Sequence, residues 1–164
     1  VLIASGSSSI FRYASYVSSG LTANFSITGW LTLNAVWSSG IKDIFTYYYD
    51  VDNRILIQYD VDTPRFVVTK VVGGTVFGAS GSYTVTNGQS YHLIVVQDNT
   101  TLYLYVNGAL LASISATATM TDGGTIALGC AATGATDGVD IIVDGWRIMP
   151  DDISAVQADA IYDA

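Results

Sequence analysis

Short runs of alternating apolar and polar residues, rich in Thr, Val, Ile and Tyr, fill this chain, and Gly, Asn, Asp and Ser break them about every ten residues. Leu102, Leu104 and Val106 fall on one face of such a run and Tyr103 and Tyr105 on the other, the period of a strand with one face in a core. Asn107-Gly108 follows, a pair suited to positive φ in a tight hairpin, and leads into a further strand over Ala109–Ser115. Asp98-Asn99-Thr100 turns the chain one strand earlier, so three consecutive strands form a meander. The same reading predicts strands near Ile10–Val17, Phe25–Trp37, Asp43–Tyr49, Arg54–Tyr59, Arg65–Val72, Ser82–Thr86, Tyr91–Gln97, Thr125–Cys130 and Val139–Ile148. The helical signal lies at the C-terminus. There Ser154-Ala155-Val156-Gln157 matches a capping box, and Ile153, Val156, Ala160 and Ile161 share one face.

These patterns predict an all-β fold, a two-sheet antiparallel sandwich spanning residues 1–164 as one domain with one short C-terminal helix. Trp30, Val95, Leu104 and Trp146 are expected between the sheets. The apolar segment Val1-Leu2-Ile3, followed by the Gly/Ser run to Ser9, has two readings. It is either the first strand of its own sheet or an arm that adds to a neighbour's sheet edge.

Several segments carry a family likeness. Tyr91-His92-Leu93-Ile94-Val95-Val96, a turn, and then Leu102 through Asn107-Gly108 to Ala112 resemble the central meander of laminin-G-like domains. Ile126-Ala127-Leu128-Gly129 is similar to the family's next strand. Val143-Asp144-Gly145-Trp146-Arg147-Ile148 resembles its closing strand, and Phe25-Ser26-Ile27-Thr28-Gly29-Trp30 the strand entering the first sheet. Tyr91 stands where the family usually has Trp. The resemblance implies a concanavalin A-like jelly roll, a fold shared by lectins, glucanases, adhesion modules and structural proteins, so it does not by itself name a ligand.

Composition narrows the classes. The net charge is −8, all fourteen acids are Asp, and the six cations are two Lys and four Arg. Nucleic acid is therefore an unsuitable partner. Mean hydropathy is positive at +0.41, yet no run of about 18 apolar residues exists, so membrane insertion is not expected. The lone Cys130 reads as a buried strand residue.

Candidate chemistry is sparse. The glucanase relatives use paired Glu on one strand, and this chain has no Glu. Asp140 and Asp144 could stand in as a carboxylate pair, but a turn residue and a structural acid are the preferred roles. His92, the one histidine, lacks a Gly-x-Ser-x-Gly partner motif and reads as a packing residue. No catalytic residue and no cofactor is assigned. Asp50, Asp52 and Asn53 offer hard oxygens at a turn and form a calcium candidate, with Asp60 and Asp62 a second, separate set. Asp and Asn are also ordinary turn formers, the preferred reading. Trp37, Tyr47 and Tyr49 form a candidate stacking platform for sugars, and Asn24 and Asn99 head N-glycosylation sequons.

Only 12% of residues are charged, against about 25% in a typical soluble domain. Low charge and abundant Tyr suit surfaces that become protein interfaces. The leading expectation is a non-enzymatic structural subunit of an extracellular assembly, a filament or a virion surface array, which associates with itself. The alternative is a lectin-like carbohydrate-binding module with glycan partners.

Overall fold

The computed structural model describes residues 2–4, 11–13, 21, 23–34, 37–129 and 139–149. Twelve strands appear: β1 (Leu2–Ala4), β2 (Phe11–Tyr13), β3 (Asn24–Leu33), β4 (Ile41–Asp50), β5 (Asn53–Asp60), β6 (Arg65–Val72), β7 (Thr75–Ser82), β8 (Ser90–Asp98), β9 (Thr101–Val106), β10 (Ala109–Ser115), β11 (Thr125–Leu128) and β12 (Ile141–Met149). They form two six-stranded sheets, β1-β12-β3-β8-β9-β10 and β2-β11-β4-β5-β6-β7. Every pairing is antiparallel. We call them sheet A and sheet B. Cys130, Val1 and the expected C-terminal helix lie outside the described residues, which contain no helix.

The core is what period-2 patterning dictates. Phe25, Ile27, Leu31, Leu93, Val95 and Leu104 of sheet A face Phe45, Ile55, Ile57, Phe66 and Val68 of sheet B in one buried cluster. The β9–β10 hairpin turns at Asn107 and Gly108 with φ of 51° and 78°, the conformation expected of that pair. Asn99, with φ of 35°, turns β8 into β9.

Two glycines set how closely the layers approach. A Cβ on Gly29 would lie 2.2 Å from the Trp146 ring, which rests on the bare backbone there. The same indole stacks on Phe45 at 5.3 Å and donates its N–H to the Trp30 carbonyl at 3.0 Å. Gly81 plays the equivalent part at the sandwich edge, where a Cβ would meet Leu111 of β10 at 2.5 Å. Lys70 is the unexpected core residue. It is fully buried, its Nζ donates to Gln97 Oε1 and to the Ala118 carbonyl, and burial lowers its pKa to about 8.

Two expectations need correction. The strand placed at Ser82–Thr86 is instead β7 at Thr75–Ser82, because glycines at 78 and 81 dilute the apolar signal of a true edge strand. Trp30 does not lie between the sheets. Gly29, its neighbour, takes the inward position, so Trp30 points outward and stacks on His92 of the paired strand at 4.8 Å. Of the two readings of the Val1-Leu2-Ile3 segment, a strand of its own sheet or an arm added to a neighbour's edge, the described residues take the first. Leu2–Ala4 is hydrogen-bonded to β12 of its own sheet, with Leu2 opposite Val143 and Ala4 opposite Ile141.

Candidate functional site

The two sheets differ sharply on their outer faces. On sheet A, Ser26, Thr28, His92, Ile94, Val96 and Tyr105 point away from the core, yet each is at most 6% exposed within the single chain. Ile94, Val96 and Tyr105 form a second hydrophobic cluster there, with Tyr103 against it. His92 Nε2 lies 2.7 Å from the Thr28 hydroxyl, and burial lowers the imidazole pKa. The centre of this face is closed to a ligand.

The outer face of sheet B is more open. Cross-strand register places residues in rows perpendicular to the strands. One row runs Thr125, Tyr48, Arg54, Val71, Val76 across β11, β4, β5, β6 and β7. The next runs Ala127, Thr46, Leu56, Thr69, Gly78, and a third runs Asp43, Gln58, Val67, Ser80. Ala127, Thr46 and Val71 are buried, whereas Tyr48, Arg54, Leu56, Gln58, Thr69 and Thr125 are partly exposed. From β11 to β6 is roughly 14 Å, and from Arg54 to Gln58 roughly 13 Å, a patch with room for a short oligosaccharide.

The polar groups on this face are in two states. Gln58 Nε2 donates to Asp43 Oδ1 at 2.6 Å, fixing both side chains. Asp60 is a hub: it accepts from the Thr63 hydroxyl and amide, from the Asp62 amide and from the Arg65 guanidinium, and these bonds, Thr63 foremost, lower its pKa. Arg65 is thus neutralised, with Nη2 3.0 Å from Asp60. Arg54 makes no ion pair or hydrogen bond with any described residue.

The aromatic platform expected of Trp37, Tyr47 and Tyr49 does not form. Tyr47 is 1% exposed, donates its hydroxyl to the Thr121 carbonyl at 2.7 Å and accepts from the Gly124 amide at 2.8 Å; burial raises its pKa. Trp37 packs at the core margin against Tyr59 at 5.5 Å. Tyr49 is 49% exposed. Tyr47 faces the core and Trp37 packs at its margin, while the register shift between Tyr48 and Asp50 puts a bulge at Tyr49. Tyr48, which was not singled out, is the residue left on the open face.

Asp50, Asp52 and Asn53 lie together at the β4–β5 turn. Asp50 Oδ1 accepts from the Asp52 amide at 2.8 Å and from Asn53 Nδ2 at 2.9 Å, while Asn53 Oδ1 faces the Gly73 amide and the Thr121 hydroxyl. Asp60 and Asp62 occupy the opposite end of β5. Among the described residues no three His, Cys, Asp or Glu side chains cluster as a metal site. Asn24 and Asn99 meet at one end of the sandwich, where Asn24 Oδ1 accepts the Asn99 amide at 2.7 Å. Asp140 accepts from Asn34 at 3.0 Å and Asp144 from the Gly145 amide at 2.9 Å. The two residues are about 13 Å apart along the strand backbone.

Sandwich topology, a core built from both inner faces and one open polar face define a lectin-like β-sandwich. The chain belongs to the concanavalin A-like lectin/glucanases superfamily, whose laminin-G-type family profile matches residues 6–157. No curated protein matches it by sequence. Among solved structures it is similar to domain 4 of AbnA, an extracellular arabinanase of Geobacillus stearothermophilus, in complex with arabinotriose. That likeness has a TM-score of 0.73 and 16% identity over 93% of this chain and 72% of the other. It is also similar to the carbohydrate-binding module CBM40 of a Ruminococcus gnavus IT-sialidase bound to α2,3-sialyllactose, with TM-score 0.68, 14% identity, and 86% and 83% coverage. The botulinum neurotoxin serotype G binding domain matches with TM-score 0.69 and 14% identity over 89% of this chain and 37% of that one. At these identities the likeness establishes the fold.

Proposed function

We propose that the protein is a non-catalytic carbohydrate-binding module that works outside the cell and takes a glycan on the outer face of sheet B. The observation that carries this reading is the contrast between faces: sheet A is closed at its centre, whereas Tyr48, Arg54, Leu56, Gln58, Thr69 and Thr125 form a partly exposed, mixed polar and apolar patch. Tyr48 offers a ring for the apolar face of a sugar, and Thr and Gln side chains offer hydroxyl and amide partners. Two of the similar folds are described with bound oligosaccharides, which supports the ligand class.

The charge deficit that suggested an assembly has another outlet. The second hydrophobic cluster on sheet A hides apolar and Tyr side chains within one chain, so little charge is needed on that face. The test is a glycan panel with affinities measured by calorimetry. Tyr48→Ala is expected to weaken binding of any glycan retained by about tenfold or more. Unchanged affinity in that variant removes the site, and a folded protein that binds no glycan removes the function.

A further inference from the structure

We infer that the glycan taken by this face is acidic, and that Arg54 is the residue that reads its carboxylate; this rests on the carbohydrate-binding reading. The five cations whose side chains the structure describes are Lys42, Arg54, Arg65, Lys70 and Arg147. Three of them have neighbours or positions that account for them. Arg65 is held by Asp60, Lys70 is buried against Gln97, and Arg147 lies on the outer face of sheet A. Lys42 sits at the far end of β4, opposite Tyr59.

Arg54 differs in position. It stands on the open face of β5, partly buried, between Tyr48 on β4 and Val71 on β6. It makes no ion pair or hydrogen bond with any described residue, in a chain carrying fourteen acids and a net charge of −8. Of the acids nearby, Asp50 Oδ1 holds the turn, and on the same face Asp43 is bonded to Gln58. Partial desolvation of an uncompensated cation is unfavourable, and a ligand anion supplies the missing charge.

The guanidinium also selects among anions. Its planar fork matches a carboxylate through two parallel N–H···O bonds, which a neutral hydroxyl cannot reproduce. Tyr48 directly across the ladder places an aromatic ring beside that fork, and Thr125 one strand further adds a hydroxyl. A uronic acid or sialic acid residue brings the required pair: a carboxylate and a sugar ring with an apolar face. Net charge of −8 opposes anions at long range, but beyond about 8 Å this is screened at physiological salt, so the local contact decides.

The test compares each acidic sugar with its own methyl ester, which removes only the charge. Calorimetric titration of the full chain uses 3′-sialyllactose and trigalacturonic acid, each as free acid and as ester, with lactose and arabinotriose as neutral probes. The free acid of at least one pair is expected to bind about ten- to a hundredfold more tightly than its ester. Arg54→Gln should remove that difference, and Arg54→Lys should retain part of it, with melting curves confirming that both variants fold. Neutral glycans that bind equally well to wild type and Arg54→Gln would overturn the carboxylate assignment and leave the module reading intact. Acid preference that persists in Arg54→Gln would also overturn it. Failure to bind any probe would sink the present inference together with the reading on which it rests.

Discussion

Lys70 on β6 and Gln97 on β8 meet across the inside of the sandwich, with Nζ 2.8 Å from Oε1, and so tie sheet B to sheet A through a polar bond in an apolar interior. Gln97 passes the link on, donating to the Ala116 carbonyl at 2.7 Å, and Lys70 also reaches the Ala118 carbonyl. The network joins two strands and the segment that leaves β10.

This network predicts an alkaline gain in stability. The native pKa of Lys70 is about 8, set by burial, and the unfolded value is about 10.4. Between these values the unfolded chain binds the proton and the native chain does not, so stability rises with pH. The neutral amine still donates to both acceptors. Relative to Lys70→Met, wild type should gain about 1.5 kcal/mol between pH 8 and 9.5, measured by urea unfolding. Parallel pH profiles for the two proteins would show that the buried amine is not depressed.

His92 predicts the opposite end of the profile. Its native pKa is lowered by burial, so on acidification the unfolded imidazole takes up a proton near pH 6.5 while the native one stays neutral. Stability should fall as the pH drops below about 6.5, and His92→Gln should flatten that segment. Loss that begins only below about pH 4, where carboxylates titrate, would assign the acid sensitivity to Asp60 and its partners instead.

Gly29→Ala tests the packing of the closing strand. The added methyl would lie 2.2 Å from the Trp146 ring, so the indole must leave its place on Phe45 and its bond to the Trp30 carbonyl. A loss of about 1–3 kcal/mol is expected, the range for overpacking. Leu104→Ala, at a site with no exposure, should cost about 2–5 kcal/mol. A loss below about 0.5 kcal/mol in either would contradict the core as described.

Calcium removal should leave the melting temperature unchanged, because Asp50 and Asn53 spend acceptor oxygens on the β4–β5 turn itself. A calcium-dependent rise in melting temperature that Asp52→Ala abolishes would place a metal at that turn.

The strands were legible where pattern and turn chemistry agreed. β6 and β10 match their expected spans, and Asn107-Gly108 turns as its residue types require. β7 was hidden because an edge strand that packs close to β10 needs Gly81, and glycine carries no hydrophobic signal. Which tyrosine of the Tyr47-Tyr48-Tyr49 run faces outward was not legible, since a bulge at Tyr49 cannot be read from the run itself. Alternation in β5 does place Arg54, Leu56 and Gln58 opposite Ile55, Ile57 and Tyr59, so the polar side of the site was present in the pattern. Which sheet keeps its outer face open is a tertiary property. Its trace is the continuous apolar run of β8, where Ile94 and Val96 are buried on the face opposite Leu93 and Val95.

The central claim is that a glycan binds the outer face of sheet B, and amide chemical-shift mapping during glycan titration tests it most directly. Shifts should cluster on adjacent strands at Tyr48, Arg54, Leu56, Gln58, Thr69 and Thr125, with Trp30, His92 and Asp144 of sheet A unmoved. Perturbations centred on sheet A, or confined to the β4–β5 turn around Asp52, would contradict the account.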